Sequence, residues 1–348
     1  MEGLRGLAVL LVFGVHYATL VQPWLNHDGG LTVFFDAVHR IGHAGVDLFF
    51  VLSGYLIYGH LITAKPAFGR YFARRLRRIY PVFLTVFAVY LLLSWLRPGD
   101  SKLPADNAAA SLLVLQNLLL LPGILPIEAI ITVAWSLSYE MFYYLLMPGL
   151  IALLMLRGRT PEWRLRFFIG MTGVTLAGFA LAGGPVRLVM FLAGVVLYEA
   201  LPRWRAPGSG MAAAVLVFSL AATWVPMPGP AGQALRTAVL YVGFFTLCFA
   251  CFARPQQPIA RAFCWTPLRW LGNMSYSYYL IHGLCLKALF VAVGTVWPPQ
   301  PADTLALALL GPALALTWGV AALLFVGVER PFSLRIPPVA VRRAALAG

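Results

Sequence analysis

TLALALLGPALALTWGVAALLFVGV, residues 304–328, runs for twenty-five positions without one charged side chain. About twenty apolar residues cross a hydrocarbon core of roughly 30 Å as a helix, so this stretch is long enough to span a bilayer. Similar runs recur at about 4–22, 42–62, 78–97, 131–156, 166–182, 186–201, 210–226, 234–253 and 274–296. They are continuous, without the apolar/polar alternation of a membrane β-barrel. The chain of 348 residues is 61% hydrophobic and only 11% charged, where a soluble domain carries about a quarter charged residues. The reading is therefore all-α: a polytopic membrane helix bundle of about ten transmembrane helices. The first run begins close to Met1 and lacks a small-residue cleavage site after it, so it reads as a permanent span.

Charge gives the orientation. Segments 65–78, 157–166, 202–209, 254–272 and 329–343 are basic and fall on one side of a ten-span threading, whereas 226–233 and 297–303 have no Lys or Arg. The positive-inside rule makes the basic side cytoplasmic and places both termini there. The same rule accounts for the net charge of +14 without invoking nucleic acid. Stretch 108–122 (AAASLLVLQNLLLLP) is apolar but short, and counting it as a span would invert every later loop. It reads as a re-entrant or interfacial segment within one domain, 1–348. The four cysteines form neither a disulfide framework nor a zinc spacing.

Ionisable groups inside spans are costly and therefore informative. Arg5 and His16 in the first span are eleven residues apart, which returns them to nearly the same helix face about 16 Å apart along the axis. A cationic mouth aligned with a deeper imidazole suits an anionic substrate entering from the cytoplasm; a topology arginine and a core histidine fit the same spacing. Asp47, in GHAGVDLFFVLSGYLI, sits at a depth His16 can share, and a carboxylate beside an imidazole would fix its tautomer. His39, His43 and Asp47 follow at helical spacing as a weak metal ladder without a matching cluster elsewhere, and no metal is expected. Arg74, Arg75, Arg77 and Arg78 stand at the inner mouth of the third span, where guanidinium forks can hold phosphates. Glu140, beside Trp135, Ser136, Ser138 and Tyr139, needs a partner such as His16 or an arginine. Ser275, Tyr276, Tyr279 and His282 form a polar stripe on the ninth span suited to lining a cavity.

Five segments in register, LRGLAVLLVFGVH (4–16), GVDLFFVLSGYLI (45–57), RRLRRIYP (74–81), WSLSYE (135–140) and SYSYYLIH (275–282), resemble the acyltransferase 3 family of bacterial membrane proteins, and the resemblance covers essentially the whole chain. It implies a membrane-embedded O-acyltransferase that moves an acyl group, usually acetyl, from cytoplasmic acyl-CoA to a hydroxyl of a cell-envelope glycan or lipid-linked acceptor. The family's arginine-then-histidine motif falls on Arg5 and His16, its double-arginine motif on Arg75 and Arg78, and its acidic positions on Asp47 and Glu140. Met141 and Phe142 stand where the commoner form has an acidic residue and glutamine, a departure that bears on the acceptor. Relatives usually carry several more residues before the first motif, which implies a start further upstream, and some carry a fused hydrolase-like domain that is not seen here.

On this reading Arg5, Arg75 and Arg78 bind the donor. His16, supported by Asp47 or Glu140, is base or nucleophile, and Trp135, Ser138, Tyr279 and His282 line the substrate path. The donor is acetyl-CoA or another acyl-CoA, with no permanently bound cofactor and no nucleic-acid partner. The setting is the bacterial inner membrane, crossed many times. The competing class is a proton-coupled transporter or flippase of an envelope precursor, in which the buried His, Asp and Glu would relay protons.

Overall fold

A computed structural model describes residues 1–26 and 28–334. Residues 335–343 of the last basic segment, and with them the expected cytoplasmic C-terminus, lie outside the described residues. The described chain is helical, with no β-strand beyond an isolated bridge between Pro122 and Leu125. Seven helical segments among the described residues are long and apolar enough to cross a membrane: Glu2–Trp24, Gly30–Ala64, Phe68–Leu96, Pro161–Ala182, Gly229–Ala253, Ser275–Val296 and Asp303–Leu334. Three further expected spans are also helices but fall short of that measure, through polar first turns around Glu140 in one and through length in the other two.

The first helix, α1 (Glu2–Val21), is the hub. It packs against α2 (Gly30–Gly42) and α3 (Ala44–Ala64), and, from the far end of the sequence, against α12 (Thr266–Asn273) and α13 (Ser275–Val296). Between α3 and α12 come α4 (Phe68–Leu96), α5 (Asn107–Leu118), α6 (Trp135–Leu153), α7 (Pro161–Ala182), α8 (Val189–Ala200), α9 (Ser209–Ala221), α10 (Gly229–Ala253) and α11 (Pro258–Ala262). After α13 come α14 (Asp303–Ala308) and α15 (Leu310–Leu324), which runs directly into a π-helical segment, Phe325–Leu334. Two loop expectations change. The stretch before α3 holds α2, and the basic segment 254–272 holds α11 and most of α12, because Gly3, Gly6 and Gly272 let α1 and α12 touch backbone to backbone.

The basic run 65–78 is likewise helix from Phe68 onward. Tyr71 is buried and shares its helix face with Arg75 and Arg78, at i+4 and i+7, while Arg70, Arg74 and Arg77 take the exposed face; Phe68 stacks on Phe72 at 5.7 Å. This carries Arg75 and Arg78 on a fixed scaffold. Helices α3 and α8 approach closely enough that a Cβ at Gly54 would run into the backbone of Phe191, and one at Gly194 into that of Val51 and Tyr55. Phe191 is then sandwiched between Phe50 and Tyr143, each ring centroid 4.5 Å away.

The basic ends of the helices are tied together. Fully buried Glu199 of α8 accepts from Arg164 at 2.5 Å and from the Tyr58 hydroxyl at 2.5 Å, while Arg203 stands 3.5 Å away. Arg157 donates to the Leu61 carbonyl at 3.0 Å, and Arg269 pairs with Glu2 at 2.8 Å. At the opposite end Trp24 donates to the Trp297 carbonyl at 3.1 Å, and the Asn26 amide to Asp303 at 3.0 Å. Helix α5 is only twelve residues, capped by Asp106, which accepts from the Ala109 amide at 2.7 Å. Its end is fastened by the Tyr80 hydroxyl on the Leu118 carbonyl at 2.9 Å, and by Asn117, which holds the Glu128 carbonyl and the Ile130 amide.

Candidate active site

Helices α1, α3, α4, α6 and α13 enclose two adjoining cavities. The one nearer the basic end is lined by Arg75, Arg78 and Tyr144; the other by Phe49, Phe50, Ser136 and Tyr279. Arg5, Ser53, Glu140 and Tyr276 line both, so the two run together as one passage with a cationic mouth and an aromatic far wall.

Each mouth arginine is held differently. Arg75 lies over the rings of Tyr71 and Tyr144, 5.3 and 5.1 Å from their centroids, and has no carboxylate within ion-pair distance among the described residues. Arg78 lies over the Tyr276 ring at 5.5 Å and is bound at 2.5 Å by Glu329, a fully buried carboxylate of the π-helical segment. Glu329 also accepts from the Ser277 amide at 3.0 Å and the Ser277 hydroxyl at 2.5 Å, in the first turn of α13. Arg78 is thus not the free phosphate fork expected from sequence. Arg74, by contrast, is exposed and donates to its own helix, at the Arg70 carbonyl.

Glu140 lies in this mouth and not at His16. It accepts from the Tyr144 hydroxyl at 2.5 Å and the Ser53 hydroxyl at 3.4 Å, and its charge acts on Arg5. Asp47 turns elsewhere again, to Arg187, whose Nε is 3.8 Å from its carboxylate. Among the described residues no hydrogen bond or ion pair joins His16 to either acid, so the expected grouping of His16, Asp47 and Glu140 is divided among three places. The physical reason lies in helix length: Glu140 is on the second turn of α6, directed at the α1 and α3 faces that carry Arg5 and Ser53, and Asp47 is reached by the chain between α7 and α8.

The neighbour of His16 is His282. The two rings meet edge to face with centroids 4.9 Å apart. His16 is half-buried and His282 wholly buried, stacked on Tyr278 at 5.5 Å and 6.1 Å from the Tyr279 ring. Tyr279 is the link to the passage: its ring lines the far cavity, and its hydroxyl donates to the Val133 carbonyl at 3.0 Å and meets the Ser136 hydroxyl at 2.9 Å. Trp135 stands beyond, 5.3 Å from Tyr139, with the Arg187 guanidinium 5.7 Å over its ring. Ser138 is buried against the bundle, its hydroxyl without a hydrogen-bond partner among the described residues, and lines neither cavity. His39 and His43 pair edge to face at 4.8 Å, but Asp47 faces Arg187, and no group of three metal-capable side chains gathers among the described residues.

Glu329, Ser277, Tyr144 and Arg187 are the site residues that sequence reading missed. Arg187 carried a usable signal, since it is an arginine on the side that the positive-inside rule leaves poor in them. Glu329 also carried one, being the first charge after twenty-five uncharged residues.

Comparison with known proteins places these features in a family. The acyltransferase domain of the acyltransferase 3 family matches residues 1–328. Peptidoglycan O-acetyltransferase OatA of Listeria monocytogenes is 26% identical over 326 residues, covering 81% of this chain and 48% of that protein. Acyltransferase MdmB of Streptomyces mycarofaciens is 27% identical over 370 residues, covering 95% of this chain and 90% of its own. Exopolysaccharide production protein ExoZ of Rhizobium meliloti is 27% identical over 321 residues, covering 87% and 95%. The chain therefore spans about half the length of the Listeria relative, and nearly all of the other two. No solved structure matches. With the match running through every element that builds the passage, the chain belongs to the acyltransferase 3 family.

Proposed function

We propose that this protein transfers an acyl group, in the simplest case acetyl, from cytoplasmic acyl-CoA to a hydroxyl of a cell-envelope glycan or a related acceptor. Family membership supports acyl transfer, and relatives named for peptidoglycan O-acetylation and exopolysaccharide production support the acceptor class. The observation that carries the reading is the passage itself, which leads from Arg5, Arg75 and Arg78 to Tyr279, one ring contact from His282, which in turn meets His16. A transporter would not need this arrangement, and the family does not favour one.

In this reading the CoA phosphates rest on Arg75 and Arg5, with Arg78 held beside them by Glu329. The pantetheine arm lies along the passage, and the thioester arrives near Tyr279. His16 removes the proton from the acceptor hydroxyl as its oxygen attacks the thioester carbonyl; the C–O bond forms, the C–S bond breaks, and the proton passes on to the CoA thiolate. An acyl-histidine formed on His16 is the alternative chemistry, compatible with the same geometry. Glu140 serves by holding Arg5 and Tyr144. Asp47 serves by holding Arg187 against Trp135, where the acceptor approaches.

The topology proposed with it is ten crossings of the bacterial inner membrane with both termini cytoplasmic, and α5 re-entrant from the outer face. The pairing of Glu2 with Arg269, and of Glu199 with Arg164, joins segments that this threading puts on one side. The test is incubation of the purified protein in nanodiscs with radiolabelled acetyl-CoA, wild type against His16→Ala. His16-dependent thioester loss is expected, and a His16→Ala protein that consumes the donor at the wild-type rate overturns the assignment.

A further inference from the structure

We propose that His282 is the positioning residue for His16: its unprotonated Nε2 accepts a hydrogen bond from the His16 ring, filling the place that sequence reading gave to a carboxylate. The inference rests on the role of His16 in the preceding reading and adds a residue that reading leaves without a function in the reaction.

The geometry assigns the tautomer. The Nδ1 of His282 lies 3.0 Å from the Tyr278 carbonyl, one turn back in its own helix, and a carbonyl can only accept, so Nδ1 carries the proton. Nε2 is then a bare acceptor. It is buried and has no hydrogen-bond partner among the described residues, and a buried acceptor left open is costly. Three rings pack against His282, and two of them are committed. The Tyr278 hydroxyl bonds Thr317 at 2.8 Å, and the Tyr279 hydroxyl bonds the Val133 carbonyl and Ser136. The third is His16, with no side-chain hydrogen bond among the described residues and its ring centroid 4.9 Å from that of His282 at an interplanar angle of 64°. In the proposed arrangement the His16 ring turns its N–H onto Nε2, which gives each histidine the partner it lacks.

The arrangement resembles the second-shell support of metal-bound and catalytic imidazoles, where the ring nitrogen not used in the chemistry is fixed by an acceptor behind it. With one His16 nitrogen donating to His282, the other is left as the basic nitrogen of a half-buried ring. When His16 takes the acceptor's proton, the imidazolium keeps its hydrogen bond to Nε2. His282 itself does not change protonation, because its Nδ1–H stays on the Tyr278 carbonyl throughout.

Two substitutions separate this role from packing. His282→Gln carries an amide oxygen that reaches about as far as Nε2, and so retains an acceptor behind His16. His282→Asn can still donate to the Tyr278 carbonyl but is too short to meet His16. The expected result is a kcat for His282→Asn reduced about 10- to 100-fold, a kcat for His282→Gln within about 5-fold of wild type, and a KM for acetyl-CoA within about twofold in both, because His282 lines neither cavity. Stabilisation against heat by CoA should persist in both variants. Equal kcat values for His282→Asn and wild type, or equal losses in Asn and Gln accompanied by lost CoA stabilisation, overturn the proposal. The parallel His16→Ala assay keeps the two readings apart. An active His16→Ala protein removes the reading of the site, whereas an inactive one beside a fully active His282→Asn protein removes this inference alone.

Discussion

Glu329→Gln, made alone and together with Arg78→Met, tests whether the mouth of the passage is clamped by one buried ion pair. Glu329 is fully buried and accepts three hydrogen bonds, from Arg78, the Ser277 amide and the Ser277 hydroxyl. Arg78 keeps only 23% of its side chain exposed, so solvent screens the pair weakly. Removing one member of a buried pair costs about 3–5 kcal/mol, because the other is left charged without compensation. Glutamine preserves an acceptor for Ser277 and loses only the charge, which places the single variant near the low end, about 3 kcal/mol. Arg78→Met alone strands the carboxylate and should cost a similar amount. The double variant strands neither charge and should be no worse than either single one, a coupling of about 3 kcal/mol where independent sites would add. At roughly 2 °C per kcal/mol for a large domain, each single variant loses about 6 °C in apparent Tm and the double variant about the same, against about 12 °C if the effects add. A thiol-reactive fluorogenic dye can read the transition, since Cys248 and Cys285 are buried free thiols exposed on unfolding. A double variant that loses the full additive amount refutes the clamp.

Three other outcomes follow from the same geometry. Arg75→Lys should raise the KM for acetyl-CoA about tenfold with little change in kcat, because a point charge replaces a planar fork stacked between Tyr71 and Tyr144; initial rates at varied donor concentration decide it, and an unchanged KM removes Arg75 from the donor site. Gly194→Val should prevent stable insertion or lower the apparent Tm beyond any surface substitution, since its side chain would meet the α3 backbone at Val51 and Tyr55; a normally folded, fully active variant would contradict the close approach. Asp47→Asn and Arg187→Gln should each reduce transfer to the acceptor while leaving CoA-dependent thermal stabilisation intact, as both lie away from the mouth; loss of CoA binding in either would place the pair on the donor side.

The helical character and the passage-lining residues of α1 were open to sequence reading because they depend on local pattern. The eleven-residue step from Arg5 to His16 is a property of one helix, and the structure keeps both on the inward side of α1. What sequence could not supply was the partner across the bundle. His16 meets His282, 266 positions later, only because Gly42 and Gly45 let α2 and α3 close against α1 on one side while α13 fills the other. The extent of α4 was missed for a different reason. Its first eleven residues carry five arginines, which reads as a loop by charge, yet Phe68, Tyr71 and Phe72 keep the helical period that decides the backbone. Glu329 was assigned to a loop because it follows the last apolar run, whereas the continued helical winding turns it inward onto Ser277.

A pairing of charges explains why histidine meets histidine at the centre. Four carboxylates that face the interior of the bundle have an arginine at hand: Asp47 has Arg187, Glu199 has Arg164, Glu329 has Arg78, and Glu140 shares its cavity with Arg5. A carboxylate behind His16 would need the imidazolium itself as its only counter-charge, and would be stranded as an ion in an apolar surround whenever His16 was neutral. In the proposed mechanism a neutral imidazole acceptor would avoid that cost in the resting state and still stabilise the protonated ring during transfer. The mouth is built on the opposite principle. Three guanidinium groups there face two carboxylates, and Arg75 is left without an acidic partner among the described residues. The uncompensated positive charge thus sits where a phosphate-bearing donor would arrive in the proposed reaction, and His16, the base in that proposal, lies beyond Tyr279 and His282, where a hydroxyl proton would be taken without holding an ion in place between turnovers.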